Sequence, residues 1–156
     1  VSADGQCVAF DSEATNLIVG GSDANGTYDA FLWDRISGSV TLISHAAGST
    51  TAVGNGLSST GAISSDGRYV TFTSAATDLI AGGSDANGTV DAFLWDRSTE
   101  SVTLVSHAAG SGTTAGSEAS VPTAISADGR YVAFNSDATN LISGGSDTNS
   151  AGDAFL

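Results

Sequence analysis

The feature that most constrains the fold is a 62-residue internal repeat. Shifting the sequence by 62 positions aligns it with itself without a gap, which divides it into the units 1–62, 63–124 and 125–156, the last one partial. The acidic stretch from Gly21 to Arg35 returns from Gly83 to Arg97 with a single change. Because a repeat of this length indicates an array of similar supersecondary units, the chain, 1–156, is predicted to be one domain built from copies of one module.

Each unit reads as four short strands, A to D. An Asp-Gly pair between A and B predicts a tight hairpin, because Gly takes positive φ without steric cost and Asp tolerates it. The predicted ranges are 62–64 and 123–126 for strand A; 6–10, 68–72 and 130–134 for B; 29–34 and its copies for C; and 40–44 and 102–106 for D. Linkers rich in Gly, Ser and Thr, such as 48–60, join D to the next A. The first unit therefore lacks strand A, and the third lacks strand D.

Strand C indicates how the strands are covered. It is apolar on both faces, with Ala30 and Leu32 on one side and Phe31 and Trp33 on the other. An antiparallel sheet with one wet face would alternate apolar and polar residues instead. The pattern predicts an all-β fold of small antiparallel four-stranded sheets stacked face to face, as in a β-propeller or a stacked β array.

Two motifs carry a family resemblance. Ser-Ala-Asp-Gly-Arg-Tyr-Val-Ala-Phe at 126–134 and Asp-Ala-Phe-Leu-Trp-Asp-Arg at 91–97 resemble the TolB-like (WD40-like) β-propeller repeats, which typically write the turn as Ser-Pro-Asp-Gly. Subfamilies in secreted bacterial proteins carry an Asn-Leu-Val segment and an Asp-x-Asn-Gly loop, similar to 16–18 and 23–26 here. The resemblance implies propeller-type blades and an extracellular or cell-surface location, and it says little about function. The chain departs from this family in two respects. Its repeating unit is longer than a typical blade, and its number of blades is below the roughly four to eight that close a ring.

The charge is strongly one-sided, with 17 Asp and Glu against 4 Arg and Lys and a net charge of −13. Nucleic acids and anionic membranes both require a basic face, so neither is an expected partner. No apolar run approaches the roughly 18 residues of a membrane span, so membrane insertion is not expected either. The balance favours divalent cations as partners, or simple solubility in a salty medium.

The acidic loop before strand C is the candidate metal site. Its carboxylate, amide and hydroxyl oxygens recur at alternate positions, and its glycines permit a tight wrap around a cation. All-oxygen sets of this kind suit Ca²⁺, although the distal Glu of an EF-hand is missing. The alternative is an Asx-rich turn whose side chains cap their own backbone. The predicted ligands are Asp23, Asn25, Thr27 and Asp29 in the first loop, Asp85, Asn87, Thr89 and Asp91 in the second, and Asp147, Asn149 and Asp153 in the third.

The remaining reactive side chains have structural interpretations. His45 and His107 are expected to be solvated loop residues, and Cys7 a small buried filler without a base beside it. Asp34-Arg35 and Asp96-Arg97 are expected to form local ion pairs at the end of strand C. Trp33 and Trp95 are expected in the core.

Repetition also guides the functional expectation. An active site needs one constellation unlike the rest of the chain, whereas every polar feature here is copied, so no enzymatic activity is expected. The leading hypothesis is a secreted structural protein whose calcium-binding blades assemble between copies, by edge-strand or blade-stacking contacts, into a filament, ring or surface layer. The alternative is a ligand-binding propeller fragment that recognises a protein or a polysaccharide. A third is the non-catalytic propeller domain of a larger enzyme.

Overall fold

The computed structural model describes residues 1–145, 147, 149 and 151–156, and this part of the chain is all-β. Within it no helix is long and apolar enough to cross a membrane. The strands are β1 (Cys7–Ser12), β2 (Asp29–Asp34), β3 (Val40–Leu42), β4 (Ser58–Ile63), β5 (Tyr69–Ser74), β6 (Asp91–Asp96), β7 (Ser101–Leu104), β8 (Ser120–Ile125), β9 (Val132–Ser136) and β10 (Asp153–Phe155).

The strands form three antiparallel sheets, one for each unit. The middle sheet has four strands in the order β4-β5-β6-β7. The first sheet has the order β1-β2-β3 and the third β8-β9-β10, so each has three strands. The missing strands are those predicted, A in the first sheet and D in the third. The described residues do not close into a propeller ring.

The range of strand C was predicted correctly in the first two units, whereas strands A and B are shifted and extended and strand D ends at Leu42 and Leu104, two residues earlier than predicted. Strand B continues to Ser12 and Ser74 because it pairs with strand C along its whole length, with Ser12 opposite Asp29 and Ser74 opposite Asp91. Strand A begins at Ser58, inside the segment predicted to be a linker, where the Ser58 and Ser74 hydroxyls lie 2.8 Å apart. Because serine is polar, the apolar periodicity used to predict strands could not show that this pair belongs to one.

The Asp-Gly turn differs in detail from the prediction. Gly67 has a φ of 72°, as expected, but Asp66 does not share the left-handed conformation. The Asp66 carboxylate instead accepts hydrogen bonds from the Ser64 hydroxyl at 2.6 Å and from the Arg68 amide at 3.0 Å. The aspartate therefore shapes this turn through its side chain rather than through its backbone.

Successive sheets stack through the same contacts at both joints. The Ala3 amide donates to the Ser65 carbonyl at 2.9 Å, and the Ser65 amide donates to the Ala127 carbonyl at 3.1 Å. Strand A of each following sheet packs on the sheet before it, β4 against β1 and β2, and β8 against β5 and β6. The core is centred on the middle sheet, where Phe72 and Trp95 are fully buried.

Candidate metal-binding loops

The acidic loops connect strand B to strand C and are held in place by the D-to-A linkers. In the first unit the Ser22 amide donates to the Thr51 carbonyl, and the Val53 amide donates to the Ser22 carbonyl, both at 3.2 Å. The second unit repeats this pairing through Ser84. The linkers are thus ordered partners of the loops, which their Gly, Ser and Thr composition did not indicate.

The asparagines cap the turns of their own loops. The Asn25 amide oxygen accepts from the Thr27 backbone amide at 2.9 Å, and its amide nitrogen donates to the Gly54 carbonyl at 2.9 Å and to the Asp29 carboxylate at 3.1 Å. Asn87 makes the equivalent set of bonds. These are the bonds expected of an Asx-rich turn. A cation would have to use the second lone pair of the amide oxygen.

Asp29 and Asp91 are the most enclosed side chains of the loops, each 1% exposed. Ser44 and Ser106, at the end of strand D, donate their hydroxyls to these carboxylates at 3.2 and 3.0 Å. Burial raises the pKa of both groups to about 6, the hydrogen bonds from Ser and Asn oppose this rise, and the preceding loop aspartate adds to it. Protonation therefore removes an unfavourable buried charge from each carboxylate, and a bound cation would neutralise the same charge.

Several oxygens of the loops are buried without a hydrogen-bond partner among the described residues. They are Oδ1 of Asp23 and Oγ1 of Thr27 in the first loop, and Oγ1 of Thr89 in the second. Buried polar atoms of this kind call for an explanation, of which an ion or an ordered water is the usual one. The donor chemistry of Asp23, Thr27 and Asp29 fits a hard cation such as Ca²⁺.

The third loop keeps the same bonds but is more open. The Asn149 amide oxygen accepts from the Ala151 amide at 3.0 Å, and its nitrogen donates to Asp153 at 3.3 Å. A cavity of about 280 Å³ lies beside Asp147 and Asp153, whereas its counterpart beside Asp85 and Asp91 is reduced to about 20 Å³. The smaller cavity of the second unit is lined in addition by Leu104 of β7 and by the linker residues Thr113 and Ala115.

In the part of the chain that the structure describes, no three His, Cys, Asp or Glu side chains converge as a metal cluster would. A cation in these loops would therefore depend on Asn, Thr or backbone oxygens as well as on the carboxylates. The assignment of calcium to the loops stays a prediction.

Two expectations about other side chains are wrong. His45 is buried rather than solvated, with Nε2 2.9 Å from the Glu100 carbonyl oxygen of the next sheet, while His107 is exposed as expected. The ion pairs also form between different partners, because Arg97 reaches back to Asp34 of the previous sheet and Arg68 pairs with Asp96 at 2.8 Å. Strand β2 ends at Asp34, and Arg35 lies in the following turn, where the Asp34 carboxylate accepts hydrogen bonds from the Ile36 and Ser37 amides instead.

Two expectations about the core are confirmed, one of them in part. Cys7 is 2% exposed and packs under the Asp-Gly turn of the second unit, where a Cβ on Gly67 would lie 2.8 Å from Cys7 Sγ. Trp95 is fully buried, but Trp33 is only half-buried.

No protein-family model matches the chain, and no curated protein is significantly similar to it.

Proposed function

We propose that the chain is a non-enzymatic, secreted structural protein whose β-propeller-type blades bind calcium and associate between copies into a filament, ring or surface layer. The observation that carries the proposal is the recurrence of one joint. The same backbone bond, from Ala3 to Ser65 and again from Ser65 to Ala127, links each sheet to the next. A module that already stacks on its own copies within one chain is suited to serial assembly.

The charge of the chain supports a role for calcium. Copies with a net charge of −13 repel one another at low salt. Divalent cations in the acidic loops would reduce this repulsion, relieve the buried carboxylates of Asp29 and Asp91, and supply partners for the unpaired loop oxygens. Calcium is therefore expected both to stabilise each sheet and to promote association.

The proposal is tested by titrating Ca²⁺ into metal-free protein while the melting temperature and the sedimentation profile are recorded. We expect a higher melting temperature and a shift to larger species, seen as filaments or rings by negative-stain imaging. Asp23→Asn, Asp85→Asn and Asp147→Asn together should remove both effects, while Glu118→Gln, an exposed acid outside the loops, should leave them unchanged. No response at millimolar calcium would refute the calcium role, and a strict monomer at every concentration would refute the assembly.

A further inference from the structure

The two joints between the three sheets share their backbone geometry but not all of their side chains. At both joints strand A of the later sheet packs across strands B and C of the earlier one, and one backbone bond next to the Asp-Gly turn is repeated. Several side chains that meet at the joints differ, although the units are otherwise closely similar in sequence. These differences decide which unit fits on which sheet.

Asp11 is the polar centre of the first joint. Its carboxylate accepts hydrogen bonds from the Ser59 hydroxyl and from the Thr60 backbone amide, both at 2.7 Å. Ser59 and Thr60 belong to β4, so these bonds tie the first sheet to strand A of the second unit. Hydrogen bonds to an ionised acceptor are stronger than those between neutral groups.

None of these three groups is kept at the second joint. The replacements, one unit further along the chain, are Thr73 for Asp11, Val121 for Ser59 and Pro122 for Thr60. Valine has no hydroxyl and proline has no amide hydrogen, so this part of β8 cannot donate to a carboxylate. The acceptor and both of its donors therefore change together.

The second joint is satisfied without a charge. The Thr73 hydroxyl donates to the Ser59 carbonyl of its own sheet at 3.4 Å, so it does not depend on the third unit for a partner. Pro122 is buried, and a Cβ on Gly61 of the second sheet would lie 3.4 Å from its ring. Apolar contact thus takes the place of the hydrogen bonds to Asp11.

The opposite end of strand B differs in the same sense. At the first joint Cys7 is small enough for Arg97 of the second sheet to reach past it to Asp34, and its Sγ lies 3.1 Å from an Arg97 nitrogen. At the second joint the ring of Tyr69, which is equivalent to Cys7, fills the space beside Gly129. The first joint is therefore polar and charged, and the second is apolar and aromatic.

The aspartate that ends strand C is also used differently. In the second sheet Asp96 pairs with Arg68 of the same sheet at 2.8 Å. The residue equivalent to Arg68 in the first sheet is Gln6, which carries no charge. Asp34 is thus left to pair with Arg97 across the joint.

We infer that these residues fix the order of the units: the face of the first sheet that carries Asp11 selects strand A of the second unit, and the face of the second sheet that carries Thr73 selects strand A of the third. A stack of the third unit on the first sheet would place Asp11 against Val121 and Pro122. A half-buried carboxylate would then lose both donors, which costs more than the loss of a neutral hydrogen bond.

Such selection meets a need that the repeat creates. Arrays of similar units are prone to misassembly between the wrong neighbours while they fold. Because the differences lie at the joints, they discriminate between neighbours without changing the strands that build each sheet. The selection acts within one chain and does not depend on association between copies.

The test at the first joint removes a donor and then its acceptor. Thr60→Pro deletes the amide that serves Asp11, at a position where Pro122 shows that the strand accepts proline. The melting temperature is expected to fall by about 4 °C or more, because a carboxylate loses its backbone donor. Adding Asp11→Thr, which reproduces the second joint, should recover at least half of the loss.

The reverse exchange tests the second joint. Thr73→Asp places a carboxylate opposite Val121 and Pro122, neither of which can donate to it, and a loss of similar size is expected. Val121→Ser and Pro122→Thr together should recover at least half of this loss, because they restore the donors found at the first joint. The matched control is Thr103→Asp, which adds the same charge at an exposed threonine of β7. The two β8 substitutions should not improve that control.

All variants are compared by thermal unfolding in a chelator, at a concentration at which the protein is monomeric. Ser59→Val, which keeps the backbone donor, replaces Thr60→Pro if the proline variant does not fold, and Asp11→Thr should again recover its loss. Recovery at both joints and none in the control establishes the selection, since only residues in contact deviate from additivity. Losses that simply add at either joint, or an equal recovery in the control, would overturn the inference.

Discussion

The middle sheet and the end sheets are built from nearly the same sequence, yet they bury it differently. Phe72 and Trp95 of the four-stranded middle sheet are fully buried, whereas Phe10 and Trp33 at the same positions of the first sheet are half-buried. The difference comes from neighbours rather than from residue type, because only the middle sheet has all four strands and a sheet on either side. Comparing the end sheets with the middle sheet therefore shows how much burial each unit gains from its neighbours.

The largest test of this comparison is the loss of the two tryptophans. Trp95→Ala is expected to lower the free energy of unfolding by about 3 to 5 kcal/mol, because it opens a cavity in the centre of the core. Trp33→Ala should cost roughly half as much, since its ring is only half-buried. Urea unfolding of both variants below the concentration of association measures the difference. Equal costs would contradict a core centred on the middle sheet.

A smaller difference is expected at the Asp-Gly turns. Gly129→Ala places a methyl group against the Tyr69 ring of the middle sheet, at a φ of 72°, whereas Gly5→Ala at a φ of 68° meets nothing within 4 Å. Both variants carry the cost of a left-handed alanine, about 1 to 2 kcal/mol, so their difference isolates the contact between sheets. Thermal unfolding of the monomers should show the greater loss for Gly129→Ala. The same melting temperature for both would mean that the joint tolerates the extra group.

The smallest effect concerns pH. The folded-state pKa of Asp29 and Asp91, about 6, lies above the ordinary value of 3.8, so the folded state binds more protons between pH 4 and 6. Stability of the metal-free protein is therefore expected to fall as pH rises through this window, by at most about 3 kcal/mol for each site. Asp34 acts outside it, because hydrogen bonds lower its pKa to about 2 and its contribution is lost only in stronger acid.

A variant at one of the two sites checks this assignment. Asp91→Asn should reduce the slope of melting temperature against pH, because it removes a carboxyl group whose pKa is raised by burial. A slope unchanged by Asp91→Asn would place the titrating group elsewhere. Saturating calcium, if it binds, should reverse the slope, because a bound cation favours the ionised carboxylate.

The repeat made most of the fold predictable. Alignment of the units predicted the range of strand C and the strand missing from each end sheet, because apolar periodicity and Asp-Gly turns are local signals. The start of strand A at Ser58 and the ordered linkers were missed, since Ser and Thr pairs carry no such signal. The burial of His45 was missed for a related reason, because its partner is the Glu100 backbone of another unit.

The candidate site was only partly accessible from sequence. The alternation of Asp, Asn and Thr correctly identified a compact loop, but it did not indicate that the Asn25 amide faces Asp29. Nor did it indicate that Ser44, which follows the neighbouring strand β3, donates to the same carboxylate. A repeated Ser-His after strand D, at Ser44 and again at Ser106, was the available signal for this contact.

Sedimentation of the protein over a concentration series, with and without Ca²⁺, tests the central claim most directly. Because the sheets of one chain already stack through a repeated joint, the sedimentation coefficient is expected to rise with concentration, and to rise more steeply when calcium reduces the repulsion between copies of net charge −13. A single monomeric species at every concentration, with and without calcium, would contradict the association of copies.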